Sequence, residues 1–241
     1  MIYNQEAYDI KTEWGLRGLE QLLPVSDVII IVDVLSFSTC VDIAVSRGAA
    51  VFPYPWKDES AAAYAQSKGA ILADFKRKYT GGYSLSPTSL TTLPMEAKIV
   101  LPSPNCSTLS LATGETPTLC GCLRNAAAVA AYAMKLGQRI SVIAAGEQWA
   151  DGSLRPALED QLSAGAVIAS LKGSLSPESR AALHLFNSSK PQLAGTIRAC
   201  ISGRELAERG FEADIALACG LNVSEQAPLL TAQAFRTTRD V

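Results

Sequence analysis

Val28-Ile29-Ile30-Ile31-Val32-Asp33 is an unbroken β-branched run closed by an acid, and Val34-Leu35-Ser36-Phe37-Ser38-Thr39 follows at once. A run of this kind is expected in a strand buried on both faces, as in a parallel sheet covered by helices. Asp33 then falls at the C-terminal end of the strand, where open α/β sheets place their ligands. The next segment, 38–48, reads as a helix that opens on the hydroxyls of Ser38 and Thr39 and stops at Gly48. A helix N-terminus beside a carboxylate offers N–H groups to an anion and an oxygen to a cation. That pairing suits a phosphate ester bound with magnesium. Asp33 as a plain helix cap is the equal alternative.

Working outward, the pattern predicts strands at 28–34, 49–54, 70–74, 98–101, 117–121 and 139–145. It predicts helices at 38–48, 58–68, 107–113, 125–136, 156–172, 177–187, 190–200 and 202–209, and a helical segment near 224–231. Residues 76–94, with Gly81-Gly82 and Ser84-Leu85-Ser86-Pro87, have no clear period and read as a long surface loop, either functional or mobile. Strand and helix alternate, so the expected fold is α/β, a layered αβα arrangement on a largely parallel or mixed sheet. Residues 1–241 read as a single compact unit, with two interlocked similar lobes as a variant of that plan.

The chain of 241 residues is 48% hydrophobic and 18% charged, with net charge -2, which fits a well-packed globule. No basic stripe points to nucleic acid, and no apolar stretch is long enough to span a bilayer. Residues 1–9 lack the basic and apolar regions of a signal peptide, so a cytoplasmic location is the expectation. A homo-oligomer is compatible with all of this. The 6 cysteines read mainly as small core residues, and Cys120-Gly121-Cys122 lacks the partners of a zinc site.

Three further segments could carry chemistry. Ala144-Ala145-Gly146-Glu147 ends a strand on an acid, and Arg155-Pro156-Ala157-Leu158-Glu159-Asp160 opens a helix with two acids in its first turn. Such acids commonly just complement the helix dipole. Asp33, Glu147, Glu159 and Asp160 together could instead converge on one cation at the strand ends. Pro102-Ser103-Pro104-Asn105-Cys106-Ser107-Thr108 is a strand end and helix start whose amide, hydroxyl and N–H groups could cradle an anionic oxygen. Its bland reading is an N-cap from Ser107 or Thr108. Cys106 is also a candidate nucleophile, although Ala112 occupies the place where a cysteine phosphatase loop needs arginine. Arg124 could grip an anion through its planar fork, with Asn125 beside it; the alternative is a solvated flank and an N-cap. No GxxxxGK[ST] or GxGxxG site is present, and His184 reads as structural.

In order along the chain, Val32-Asp33-Val34-Leu35 with Ser38-Thr39, Pro104-Asn105-Cys106-Ser107-Thr108, Leu123-Arg124-Asn125-Ala126, Ala145-Gly146-Glu147 and Glu159-Asp160-Gln161-Leu162-Ser163-Ala164-Gly165-Ala166 resemble the 2-phosphosulfolactate phosphatase family. The resemblance runs from about Trp14 to Phe235. It implies a magnesium-dependent hydrolase acting on 2-phosphosulfolactate or a related phosphorylated 2-hydroxy acid, a small anionic metabolite. Carried onto this chain, it implies Asp33, Glu159 and Asp160 as catalytic acids and Asp33, Glu147, Glu159 and Asp160 as metal ligands. Substrate contacts would come from Ser36, Ser38, Thr39, Asn105, Cys106, Ser107, Thr108, Arg124, Asn125 and Arg155. The chain departs from the family at Ser36, where arginine is usual, at Asp74-Phe75-Lys76-Arg77, and at Ser84-Leu85-Ser86-Pro87. These departures sustain a second reading, a non-catalytic or regulatory homologue that binds an anionic metabolite.

Overall fold

The computed structural model describes residues 2–238. The strands are β1 (Ile10–Trp14), β2 (Val28–Val32), β3 (Ala50–Tyr54), β4 (Ile71–Leu72), β5 (Lys98–Pro102), β6 (Thr118–Gly121), β7 (Ile140–Ala144), β8 (Glu147–Gln148), β9 (Leu154–Arg155), β10 (Leu229–Thr231) and β11 (Ala234–Arg236). The helices are α1 (Gly15–Leu22), α2 (Phe37–Ser46), α3 (Ser60–Lys68), α4 (Pro87–Leu90), α5 (Cys106–Ala112), α6 (Ala126–Leu136), α7 (Leu158–Ile168), α8 (Pro177–Ser189), α9 (Leu193–Ala199), α10 (Ile201–Glu208) and α11 (Glu212–Ala218).

Every residue of β2 is buried, and its side chains alternate between two cores. Val28, Ile30 and Val32 pack with Val129 of α6, Val167 of α7 and Phe186 of α8. Ile29 and Ile31 pack with Leu19 of α1, Val41 of α2 and Leu109 of α5. Helices therefore cover both faces, which is why the run needs no polar alternation. Each such Ile or Val side chain contributes roughly 1.5–3 kcal/mol by leaving water. A third cluster, around Phe52, Tyr54 and Val100, lies under α3.

The nine-stranded sheet has the order β1-β7-β2-β6-β10-β11-β3-β5-β4. The sets β1-β7-β2-β6 and β3-β5-β4 are each parallel inside. The antiparallel hairpin β10–β11 joins them, β10 against β6 and β11 against β3. The layered α/β reading holds.

Some elements differ from the sequence expectation. The segment near 224–231 is not a helix; its end forms β10, and β11 follows. β1, α1 and α11 carried no prediction. Residues 76–94 do not form a loose loop: Ser84, Ser86 and Ser89 are fully buried or nearly so, and Pro87–Leu90 is helical. This segment is pinned from inside. The buried carboxylate of Asp214 in α11 accepts hydrogen bonds from Arg77 Nη1 (2.7 Å), Ser86 Oγ (2.7 Å) and the Thr88 N–H (3.0 Å).

Candidate active site

Strand register brings the first two acids together. β2 and β7 are parallel neighbours with Val32 level with Ala144. Asp33 therefore leaves the sheet beside Ala145. The chain then turns at Gly146, at φ +67°, and presents Glu147. In the small antiparallel pair β8–β9, Arg155 stands directly opposite Glu147. From the other parallel set, the end of β5 delivers Ser103 and Asn105, and the segment after β4 delivers Arg77. These ends surround a cleft of about 360 Å³ lined by Asp33, Ser36, Arg77, Asn105, Glu147 and Arg155 among others. It lies at the C-terminal ends of parallel strands, where this fold class binds its ligands.

The acids differ in role. Asp33 is 8% exposed, and its Oδ1 accepts the Phe37 N–H at 3.2 Å. Burial, reinforced by repulsion from Glu147, pushes its carboxyl up to about 7, while the Phe37 N–H and the Arg77 guanidinium oppose the rise. Glu147 also sits above the ordinary range, chiefly through burial and then through repulsion from Glu159. Its Oε2 accepts Asn105 Nδ2–H at 3.1 Å. Asp160, in the first turn of α7, does not line the cleft. Its Oδ1 accepts the Val34 N–H at 2.8 Å and its Oδ2 the Gly146 N–H at 2.9 Å. It ties together the two strand exits that carry Asp33 and Glu147. Burial raises it well above the usual carboxylate range, and the Asp33 charge adds to the rise. Glu159 is buried beside it and accepts the Cys200 thiol at 3.2 Å.

Among the described residues, no three His, Cys, Asp or Glu side chains are arranged to hold a metal ion. The four acids therefore do not form a cage. Two of them, Asp33 and Glu147, face the cleft. Those two carboxylates are hard oxygen donors whose mutual repulsion a cation would relieve. They fit magnesium, which takes one or two carboxylates and completes its shell with water and phosphate.

The hydroxyls of the α2 turn serve the backbone. Ser38 Oγ donates to Asp33 O at 2.6 Å and accepts the Asp33 N–H at 3.1 Å. Thr39 Oγ1 donates to Val34 O at 2.7 Å. Ser36 Oγ faces the cleft and accepts Arg77 Nη2–H at 2.9 Å. In the second turn, Ser107 Oγ contacts Leu101 O at 3.5 Å and Thr108 Oγ1 donates to Pro104 O at 2.6 Å, so neither hydroxyl caps α5. Cys106 is wholly buried and its thiol is raised far above the reactive range by that burial, which removes the basis for a thiolate nucleophile.

Arg124 and Asn125, expected beside the anion, stand elsewhere. Arg124 Nε donates to the buried Asp42 at 2.8 Å and its Nη1 to Leu217 O at 3.0 Å. Asn125 Oδ1 accepts the Cys122 N–H at 2.8 Å. The cations in the cleft wall are Lys57, Arg77, Arg155 and Arg209. Three of them rest against aromatic rings, Arg77 and Arg209 near Phe211 and Arg155 near Trp149. Arg155 Nη2 also donates to Ser202 Oγ at 3.2 Å. The α10 residues Ser202, Glu205 and Leu206 share one helical face towards the cleft, and Arg209 just beyond the helix extends it. The sequence signal for this was a helical stripe at i, i+3 and i+4 ending in arginine.

A sequence profile of 2-phosphosulpholactate phosphatase matches residues 18–233. The chain belongs to this phosphatase family. It is also 30% identical over 210 residues to a 2-phosphosulfolactate phosphatase of Methanothermobacter thermautotrophicus, a match covering 85% of this chain and 87% of that one. The family match spans every residue that lines the cleft, from Asp33 to Arg209. At Ser36, one of the positions where the sequence departs from the resemblance, the hydroxyl is engaged by the guanidinium of Arg77. No helix of the described residues is long and apolar enough to cross a membrane.

Proposed function

We propose that this protein is a magnesium-dependent phosphomonoester hydrolase acting on 2-phosphosulfolactate or a related phosphorylated 2-hydroxy acid. One observation carries the reading: two carboxylates, Asp33 and Glu147, share a single cleft with the guanidinium groups of Arg77 and Arg155. Family membership and the named relative support the phosphatase part of this reading.

Asp33 and Glu147 would hold magnesium, which when bound withdraws charge from the phosphoryl oxygens. Asn105 orients Glu147 through its amide hydrogen bond. Asp160 keeps Asp33 and Glu147 at a fixed separation by holding the backbone beside each. Arg77, held by Asp214 and Ser36, directs its remaining N–H groups at the phosphoryl oxygens. Arg155, with Arg209, binds the second anionic group of the substrate. Preorganised donors of this kind act without reorganising during the reaction.

The test is release of inorganic phosphate from 2-phosphosulfolactate. Turnover is expected with Mg²⁺, and its loss is expected with EDTA and in Asp33→Asn. Unchanged turnover in Asp33→Asn would refute the scheme. Calorimetric binding of the substrate with no phosphate release would support the non-catalytic homologue instead.

A further inference from the structure

A second compartment adjoins the cleft. It has a volume of about 260 Å³ and shares Pro104, Asn105, Glu147 and Gln148 with the cleft. Its other walls are mainly apolar: Trp14, Leu16, Leu109, Ala145 and Leu154. The Asn105–Glu147 hydrogen bond stands at the boundary between the two spaces.

The compartment is shaped by backbone. Gly15 and Gly146 both have positive φ, +57° and +67°. A Cβ on Gly146 would come within 2.7 Å of Leu154 Cδ1, and one on Gly15 within 3.3 Å. Leu154 is therefore seated against two bare stretches of main chain, which fixes its side chain as a wall. Leu16 at 39% and Leu154 at 41% remain exposed at the rim. Apolar side chains held open to water beside a polar cleft gain by covering an apolar group. An apolar cavity of roughly 150 Å³ is enough to take benzene, so this space can take an aryl group with room for its linking carbon.

We propose that this compartment receives an aryl or branched-alkyl substituent on the leaving alcohol, so that the substrate class extends to phosphomonoesters of apolar 2-hydroxy acids. The inference rests on the phosphomonoester reading above. With the phosphoryl group between Asp33 and Asn105, a substituent on the ester carbon passes the Asn105–Glu147 boundary into the space under Leu154. The cationic wall stays available for a carboxylate.

The experiment compares methylphosphonate with benzylphosphonate by calorimetry in the presence of Mg²⁺, in the wild type, Leu16→Trp and Leu154→Ser. Both substituted positions are at the rim, and thermal melts check that the variants fold. Burial of the ring should make benzylphosphonate bind roughly tenfold tighter or more in the wild type. That ratio should fall towards one when the indole of the Leu16→Trp variant fills the space, or when Leu154→Ser removes its apolar wall. A wild-type ratio near one, a ratio unchanged in both variants, or no binding of either probe overturns the proposal. Phosphate release from 2-phosphosulfolactate is measured separately. An intact benzyl preference without any turnover would retain the compartment and sink the hydrolase reading alone.

Discussion

Asp160 accepts the backbone N–H of Val34 at 2.8 Å, one residue beyond Asp33. Its second oxygen holds the Gly146 N–H, one residue before Glu147. A buried carboxylate in the first turn of α7 thus sets the spacing of Asp33 and Glu147, the acids carried by the strand exits into the cleft. Asp160→Ala should leave two buried N–H groups without an acceptor, costing about 1–3 kcal/mol each. Asp160→Asn keeps one acceptor oxygen and should fall between that variant and the wild type. Urea denaturation followed by far-UV circular dichroism gives the order.

Arg77 and Asp214 form an ion pair at 2.7 Å, with Asp214 wholly buried. Arg77→Met should destabilise by about 3 kcal/mol, because it strands a buried charge. It should also raise KM for the phosphorylated substrate. Arg77→Lys keeps the charge but cannot reach Asp214 and Ser36 with one planar fork, so an intermediate KM is expected. Steady-state kinetics beside a denaturation curve separates the two effects.

Asp27 holds the starts of β2 and β7 together, accepting from the Gln138 and Arg139 N–H groups and from the Arg139 guanidinium. Those bonds, the guanidinium first, lower its carboxyl to about 2. The folded state therefore binds the proton more weakly than the unfolded chain. The resulting stabilisation is complete above the ordinary carboxylate value, roughly 3.9, and is lost as pH falls towards about 2. Solvent screening limits it to about 1 kcal/mol. The stability gap between wild type and Asp27→Asn should be present at pH 7 and close in strong acid, as read from melts across pH.

Gly165 lies where α7 crosses α8. A Cβ there would meet Ala182 O at 2.2 Å and Phe186 Cβ at 2.7 Å. Gly165→Ala must push the helices apart, and a loss of about 3 kcal/mol is expected by calorimetry. Since α7 carries Asp160, phosphate release should fall along with stability. Equal stability of the two proteins would show that the crossing relaxes freely.

Much of this architecture is legible in the chain because β2 and its neighbours are long apolar runs with clear stops. Asp33 and Glu147 stand out for the same reason: each follows such a run. The hairpin β10–β11 is illegible on local grounds. Its two-residue turn is Ala232-Gln233, both at positive φ, where the usual signal is Asn-Gly or Asp-Gly. The alanines around it favour a helical reading. Arg124 and Arg77 show the limit for side chains. Both flank elements of the sheet, yet Arg124 is claimed by Asp42 from α2 and Arg77 is delivered to the cleft by Asp214 from α11. Partners 82 and 137 residues away leave no mark in the neighbouring sequence. Asp160 was visible as an acid at a helix start; only the fold reveals that both its oxygens serve main-chain donors.

The hairpin between β6 and β3 also governs the order of assembly. Among the described strands β10 and β11 come last in sequence yet fill the middle of the ladder, so the two parallel halves each keep an open rim until residues 229–236 are in place. A stop codon after Gln226 would leave those rims unpaired for good, and such edges recruit other chains. Truncation ahead of this hairpin should therefore yield aggregates rather than a folded enzyme.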